Sequence, residues 1–98
     1  MDARRDSPTY GRHVAVELSA ANGRQLLIPA GFLHGFVTRT PDAELLYKCS
    51  APYDAASDGA VRWDSCGVDW GVDDPVLSDK DRAAPAWGDW ATPFRWAA

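Results

Sequence analysis

The chain has 98 residues, one domain at most, and its 46% hydrophobic and 24% charged content is ordinary for a water-soluble globular chain. A net charge of −4 and a pI near 4.9 argue against nucleic acid as a partner, because phosphate binding needs a basic face. No apolar run approaches the roughly 20 residues that cross a bilayer, and the opening MDARRDSPTYGR lacks the apolar centre of a secretory leader. Cys49 and Cys66 lack CxxC spacing, so the expectation is two reduced thiols in a cytoplasmic protein. A chain this short exposes so much of its surface that stability should be marginal without a further aid such as oligomerisation.

In chain order, Asp6 to Gly11 is a turn by composition. His13 to Ala20 alternates, with Val14, Val16 and Leu18 on one face, which predicts a half-buried strand. Asn22-Gly23 is a two-residue hairpin signal, and Gln25 to Ala30 reads as the second strand, closed by Pro29 and Gly31. His34 to Thr40 reads as a third strand, and Pro41-Asp42 turns the chain. Ala43 to Ser50 reads as a fourth, whose alternation places Leu45, Tyr47 and Cys49 together on an inward face. After the turn-rich stretch 51–60, Val61 to Trp70 predicts one or two short strands. Ser78 is an N-cap candidate for a helical turn in SDKDRAA, with Asp79 and Asp81 near its positive end and Pro85 as its stop. Short strands at this spacing predict an all-β sandwich or barrel, incomplete or oligomeric because five or six strands leave open edges.

Four features carry possible chemistry. His34 follows Pro29 and Gly31 and lies between Phe32 and Phe36. It is a packed core histidine, a catalytic or binding group, or a metal ligand. A metal site needs three or four converging ligands, and His13, the other histidine, sits in a different strand, so no metal is expected. Tyr47 is either core packing with a satisfied hydroxyl or a phenolic general acid. Lys80 and Asp81 are either surface helix residues or, for Asp81, the carboxylate that orients a histidine. The tail WGDWATPFRW holds three of the five tryptophans, a density that should cover the sheet, meet a partner chain or stay poorly ordered.

The pattern Pro29-x-Gly31-x-x-His34-x-Phe36 between strands resembles the second signature of the cupin superfamily. Read in succession, SPTYG, VELSAANGRQLLIPAGFLHGFV, AELLYKCS, Tyr53, RWD and PVLSDKDRAAP resemble the C-terminal half of the dTDP-4-dehydrorhamnose 3,5-epimerases, from Asp2 to Pro85. The resemblance implies an all-β, partial cupin-type jelly-roll barrel with a short C-terminal helix over residues 1–85, followed by the Trp-rich tail 86–98. It implies a metal-free, cofactor-free isomerase of dTDP-4-keto-6-deoxyglucose in rhamnose or deoxysugar synthesis, homodimeric in the full-length family. The 4-keto group acidifies C3 and C5; a base removes each proton, and an acid returns one to the opposite face. The family's acid stands where this chain has Tyr47, and Asp81 matches the aspartate that holds the basic histidine. His34 matches a sugar-site histidine, Tyr53 the residue that stacks on thymine, Asp58 an acidic substrate contact and Lys80 a lysine near the nucleotide.

The departures are equally specific. No segment matches the RG-L-H setting of the base histidine, and His13 lies in the wrong context, so Asp81 lacks its expected partner within these 98 residues. The expectation is therefore an epimerase polypeptide represented by its C-terminal half, whether a fragment, a truncated gene or a late-start gene model. A separately encoded N-terminal half that completes the enzyme, and a non-catalytic cupin remnant or oligomerisation module, are the alternatives.

Overall fold

A carboxylate leaves water only if its lone pairs are occupied, and the computed structural model, which describes residues 1–97, is built around one such group. Asp2 is 1% exposed. Its carboxylate accepts hydrogen bonds from Arg4 Nε (2.9 Å) and Nη2 (3.0 Å), the Arg4 backbone N–H (3.0 Å), Ser7 Oγ (2.6 Å) and Thr9 Oγ1 (2.6 Å). The short spacing Asp2-x-Arg4 and the hydroxyls of SPT let one tight turn supply all five donors. The same residue closes the loop with its main chain, since Asp2 N–H donates to Arg12 O (2.8 Å) and Gly11 N–H to Asp2 O (2.9 Å).

Two distant segments flank this turn. Asp2 faces Phe32 in an isolated antiparallel bridge, with Ala3 N–H donating to Gly31 O (3.0 Å) and Leu33 N–H to Met1 O (2.9 Å). On the other side Arg5 pairs with Arg95 in a parallel bridge, through Arg5 N–H to Phe94 O (2.9 Å) and Trp96 N–H to Arg5 O (2.8 Å). The Thr92 hydroxyl donates to Ala3 O. The fully or nearly buried residues among those described are Asp2, Ala3, Ser7, Gly31 and Thr92, so the centre is polar rather than aliphatic. A second cluster gathers Tyr10, Trp87 and Trp90, with ring centroids 5.4 and 5.8 Å apart in succession. Arg62 N–H to Pro85 O (2.7 Å) and Trp87 N–H to Ser65 Oγ (2.9 Å) tie this cluster to residues 62–65. The tryptophan-rich tail thus packs onto the chain's own amino-terminal turn.

The all-β jelly-roll expectation is overturned. Among the described residues the two bridges are the only strand pairing, and there is no sheet or barrel. Among the described residues, 34–53 enter no backbone–backbone hydrogen bond. The strands read over 13–20, 25–30, 34–40, 43–50 and 61–70 do not form. Alternation specifies which face of a segment is apolar, but not which segment will pair with it or cover it. Here the faces stay open: Val14 is 77% exposed, Leu27 89% and Leu46 94%. Ordering a backbone costs roughly 1–2 kcal/mol per residue, and an uncovered face returns little of that. Tyr47, expected inward beside Leu45 and Cys49, is 74% exposed for the same reason.

Short-range chemistry forms in part as read. At the Asn-Gly turn, Asn22 Oδ1 accepts from Ser19 N–H (3.1 Å) and Arg24 N–H (3.0 Å), and Gly23 sits at φ +62°. The turn closes through Gly23 N–H to Ser19 O (3.0 Å), one residue wider than a two-residue hairpin. Ser78 caps α1 (Asp79–Arg82), its Oγ accepting from Asp81 N–H (3.2 Å). Single 3-10 turns occupy Ala55–Ser57 and Trp87–Asp89.

Two outcomes follow from the buried turn. At Gly31, φ is +88° and an added Cβ would lie 2.6 Å from Arg4 Cγ, so Gly31→Ala should destabilise the turn by roughly 1–3 kcal/mol in urea melts followed by tryptophan emission. The Arg4 guanidinium, helped by the Ser7 and Thr9 hydroxyls, holds the Asp2 carboxyl far below the ordinary carboxylate range against the opposing effect of burial. The folded pKa is depressed, so this stability is complete above the unfolded pKa of about 4 and is lost as pH falls further toward the folded value. A pH 7 to pH 2 titration should show that acid loss in the parent chain and a reduced pH dependence in Asp2→Asn.

Candidate functional site

Two short helical turns, well separated in sequence, bring three of the six candidate residues together. Asp54 caps the 3-10 turn Ala55–Ser57, accepting from Ala56 N–H (3.2 Å) and Ser57 Oγ (2.7 Å). That turn ends on Asp58 and folds the chain back so that Tyr53 OH donates to Asp58 Oδ2 (3.2 Å). From the other side α1, started by Ser78, delivers Lys80, whose ammonium donates to the same Asp58 oxygen. Asp58 is the most shielded of the pair, with 27% of its side chain exposed against 55% for Lys80.

The electrostatics are reciprocal. The Lys80 ammonium, followed by the Tyr53 hydroxyl, lowers the Asp58 pKa, while Asp58 raises that of Lys80. The Asp81 carboxylate adds a smaller contribution in the same direction on Lys80. Asp58 is held below the usual carboxylate range and Lys80 above the usual ammonium range, so the pair stays charged at neutral pH. The Tyr53 ring remains 79% exposed although its hydroxyl is held. An open aromatic face beside a fixed ammonium suits a flat heterocycle that carries phosphate.

The other three residues stand apart from this cluster. His34 is exposed and makes no side-chain hydrogen bond among the described residues. It follows Phe32 and Leu33, which the amino-terminal segment pins, and it precedes Gly35, which sits against the edge of Trp70. Tyr47 presents a free phenol to solvent. Asp81 contributes its backbone N–H to the Ser78 cap, and its carboxylate is exposed without a hydrogen-bonded partner among the described residues. No group of three or more His, Cys, Asp or Glu converges on a common point among the described residues, and no helix there is long and apolar enough to cross a membrane. Cys49 and Cys66 are free thiols.

The larger cleft, about 330 Å³, lies elsewhere, between Met1, Thr9, Arg12, His13, Val14 and Phe32. It shares no residue with the Tyr53–Asp58–Lys80 cluster, and its wall Phe32 lies two residues before His34. Asp2 and Arg4, which hold that wall, escape a reading by motif. Their signal is the run Asp2-x-Arg4-x-x-Ser7-x-Thr9, a carboxylate with every donor it needs within eight residues.

A family model described as dTDP-4-dehydrorhamnose 3,5-epimerase matches residues 1–89. The dTDP-4-dehydrorhamnose 3,5-epimerase of Salmonella typhimurium is 49% identical over 88 residues, covering 87% of this chain and 48% of that protein. That of Sinorhizobium fredii is 46% identical over 89 residues, or 88% and 46% of the two chains. A probable dTDP-4-oxo-2,6-dideoxy-D-glucose 3,5-epimerase of Streptomyces antibioticus is 36% identical over 97 residues, or 97% and 47%. The chain thus spans about half the length of the curated relatives it matches. No solved structure gives a significant match. With nine-tenths of its residues inside the family model and relatives at this level of identity, the chain belongs to the dTDP-4-dehydrorhamnose 3,5-epimerase family.

Proposed function

We propose that this chain supplies the acid-bearing and nucleotide-binding half of a sugar-nucleotide 3,5-epimerase acting on dTDP-4-keto-6-deoxyglucose. The observation that carries the reading is the unbroken family match over residues 1–89, which includes every candidate site residue. Tyr53 and Lys80 then take thymine and diphosphate, with Asp58 holding both until the nucleotide arrives. Lys80, more than half exposed on a flexible stem, can leave Asp58 for a phosphate oxygen. His34 meets the sugar and polarises an oxygen where enolate charge develops. Tyr47 returns the proton to C3 or C5 from its free phenol. Asp81 orients the proton-abstracting histidine, for which neither His13 nor His34 stands in the family's setting. The accompanying expectations are a homodimer, as in the family, and a cytoplasmic reaction, where nucleotide sugars are made and used; the net charge of −4 supports a small nucleotide over a nucleic acid.

A chimera tests this, with residues 1–89 replacing the matching half of the Salmonella relative. It should epimerise the keto-sugar, and Tyr47→Phe should lower turnover by roughly 10²- to 10⁴-fold. A folded chimera that binds the substrate without turning it over would sink the proposal. Lys80→Met should weaken thymidine diphosphate binding to the chimera roughly tenfold or more in calorimetry, the loss expected for one charged hydrogen bond. The 98-residue chain alone should give no deuterium wash-in at C3 and C5 in D₂O, and wash-in at the chimera's rate would show that a base resides within it.

A further inference from the structure

The carboxy-terminal segment reaches the neighbourhood of His34 without touching it. Arg4 is held by its two side-chain bonds to Asp2, and its Cζ lies 4.8 Å from the Phe32 ring centroid and 4.7 Å from the Trp96 ring centroid. Trp96 is fixed in turn by its N–H to Arg5 O, and its segment by the Thr92 hydroxyl on Ala3 O and Phe94 N–H on Thr92 Oγ1 (3.2 Å). The exposed Arg95–Asp6 pair at 3.5 Å adds little. Phe32 belongs to the segment that Met1 and Ala3 hold by main-chain bonds, and His34 follows two residues later. Trp96 lies beyond the family-matched residues.

We propose that Arg4 and Trp96 are positioning residues for His34. Trp96 packs on Arg4, Arg4 packs on Phe32, and Phe32 fixes the start of the segment carrying the histidine. The guanidinium is suited to this because it bonds both Asp2 carboxylate oxygens while its charge lies over both rings. Gly31 allows the approach, since any Cβ there would displace Arg4. The functional half of this inference rests on the reading of His34 as a sugar-site residue. It adds that sugar contact, and not nucleotide contact, depends on the tail.

The test uses NMR and amide exchange on the whole chain, with calorimetry of thymidine diphosphate and of its keto-sugar conjugate. Trp96→Ala should speed exchange at the Leu33 amide roughly 3- to 30-fold, the range for losing one partly desolvated cation–π contact. The His34 ring resonances should move, while those of Tyr53 and Lys80 stay in place. Trp96→Phe should restore His34, and Arg4→Lys should not, because an ammonium cannot stack flat while bonding both oxygens. The conjugate should lose affinity relative to thymidine diphosphate in Trp96→Ala. An unmoved His34, or a general collapse of the Tyr53 and Lys80 resonances together with His34, would overturn positioning. If His34 moves as expected but neither ligand binds the parent chain, the positioning stands and the sugar-site reading fails.

Discussion

Asp2 is the constraint on which the rest hangs. A carboxylate that is 1% exposed is tolerable only while five donors converge on it. Meeting that requirement fixes the Arg4 guanidinium, and a fixed guanidinium attracts aromatic rings. The Phe32 and Trp96 rings both lie against it. A local demand for hydrogen bonds is thereby converted into contacts between residues far apart in the chain. The polar centre does the organising that an aliphatic core does in most domains of this size.

Function divides along the same lines. The Tyr53–Asp58–Lys80 cluster stands on two short turns, one capped by Asp54 and one by Ser78. His34 depends on the Asp2 turn and on the tail. Tyr47 lies in the stretch 34–53, which has no backbone–backbone hydrogen bonds among the described residues. The three parts of the proposed active site therefore have three different degrees of organisation. Under the proposed reading, nucleotide binding is the part this chain prepares in advance, and proton delivery is the part it leaves open.

What could be read from residues alone tracks how far apart the interacting groups are. Ser78 and Asp81 are three residues apart, and the cap forms. Asn22 bonds within five residues of itself, and a turn forms. Tyr53, Asp58 and Lys80, named through resemblance, also meet. The strands failed because Leu27 or Leu46 announces an apolar face and says nothing about what lies across from it. Asp2 and Arg4 were invisible for a different reason. Their pairing is local, but the burial that gives it importance comes from Phe32 and Trp96, at the middle and far end of the chain.

The open faces alter how the chain should respond to denaturant and heat. Its accessible surface is 8307 Å², against about 5,500 Å² for a compact protein of 10.7 kDa. Its radius of gyration, 14.3 Å, likewise exceeds the roughly 12.5 Å of a compact chain this long. Full unfolding would then uncover about 7,000 Å² rather than about 10,000 Å². Because the denaturant slope and the heat-capacity increment both scale with newly exposed surface, each is about a quarter smaller than chain length alone implies. The transition is correspondingly shallow, and its stability curve flatter with temperature.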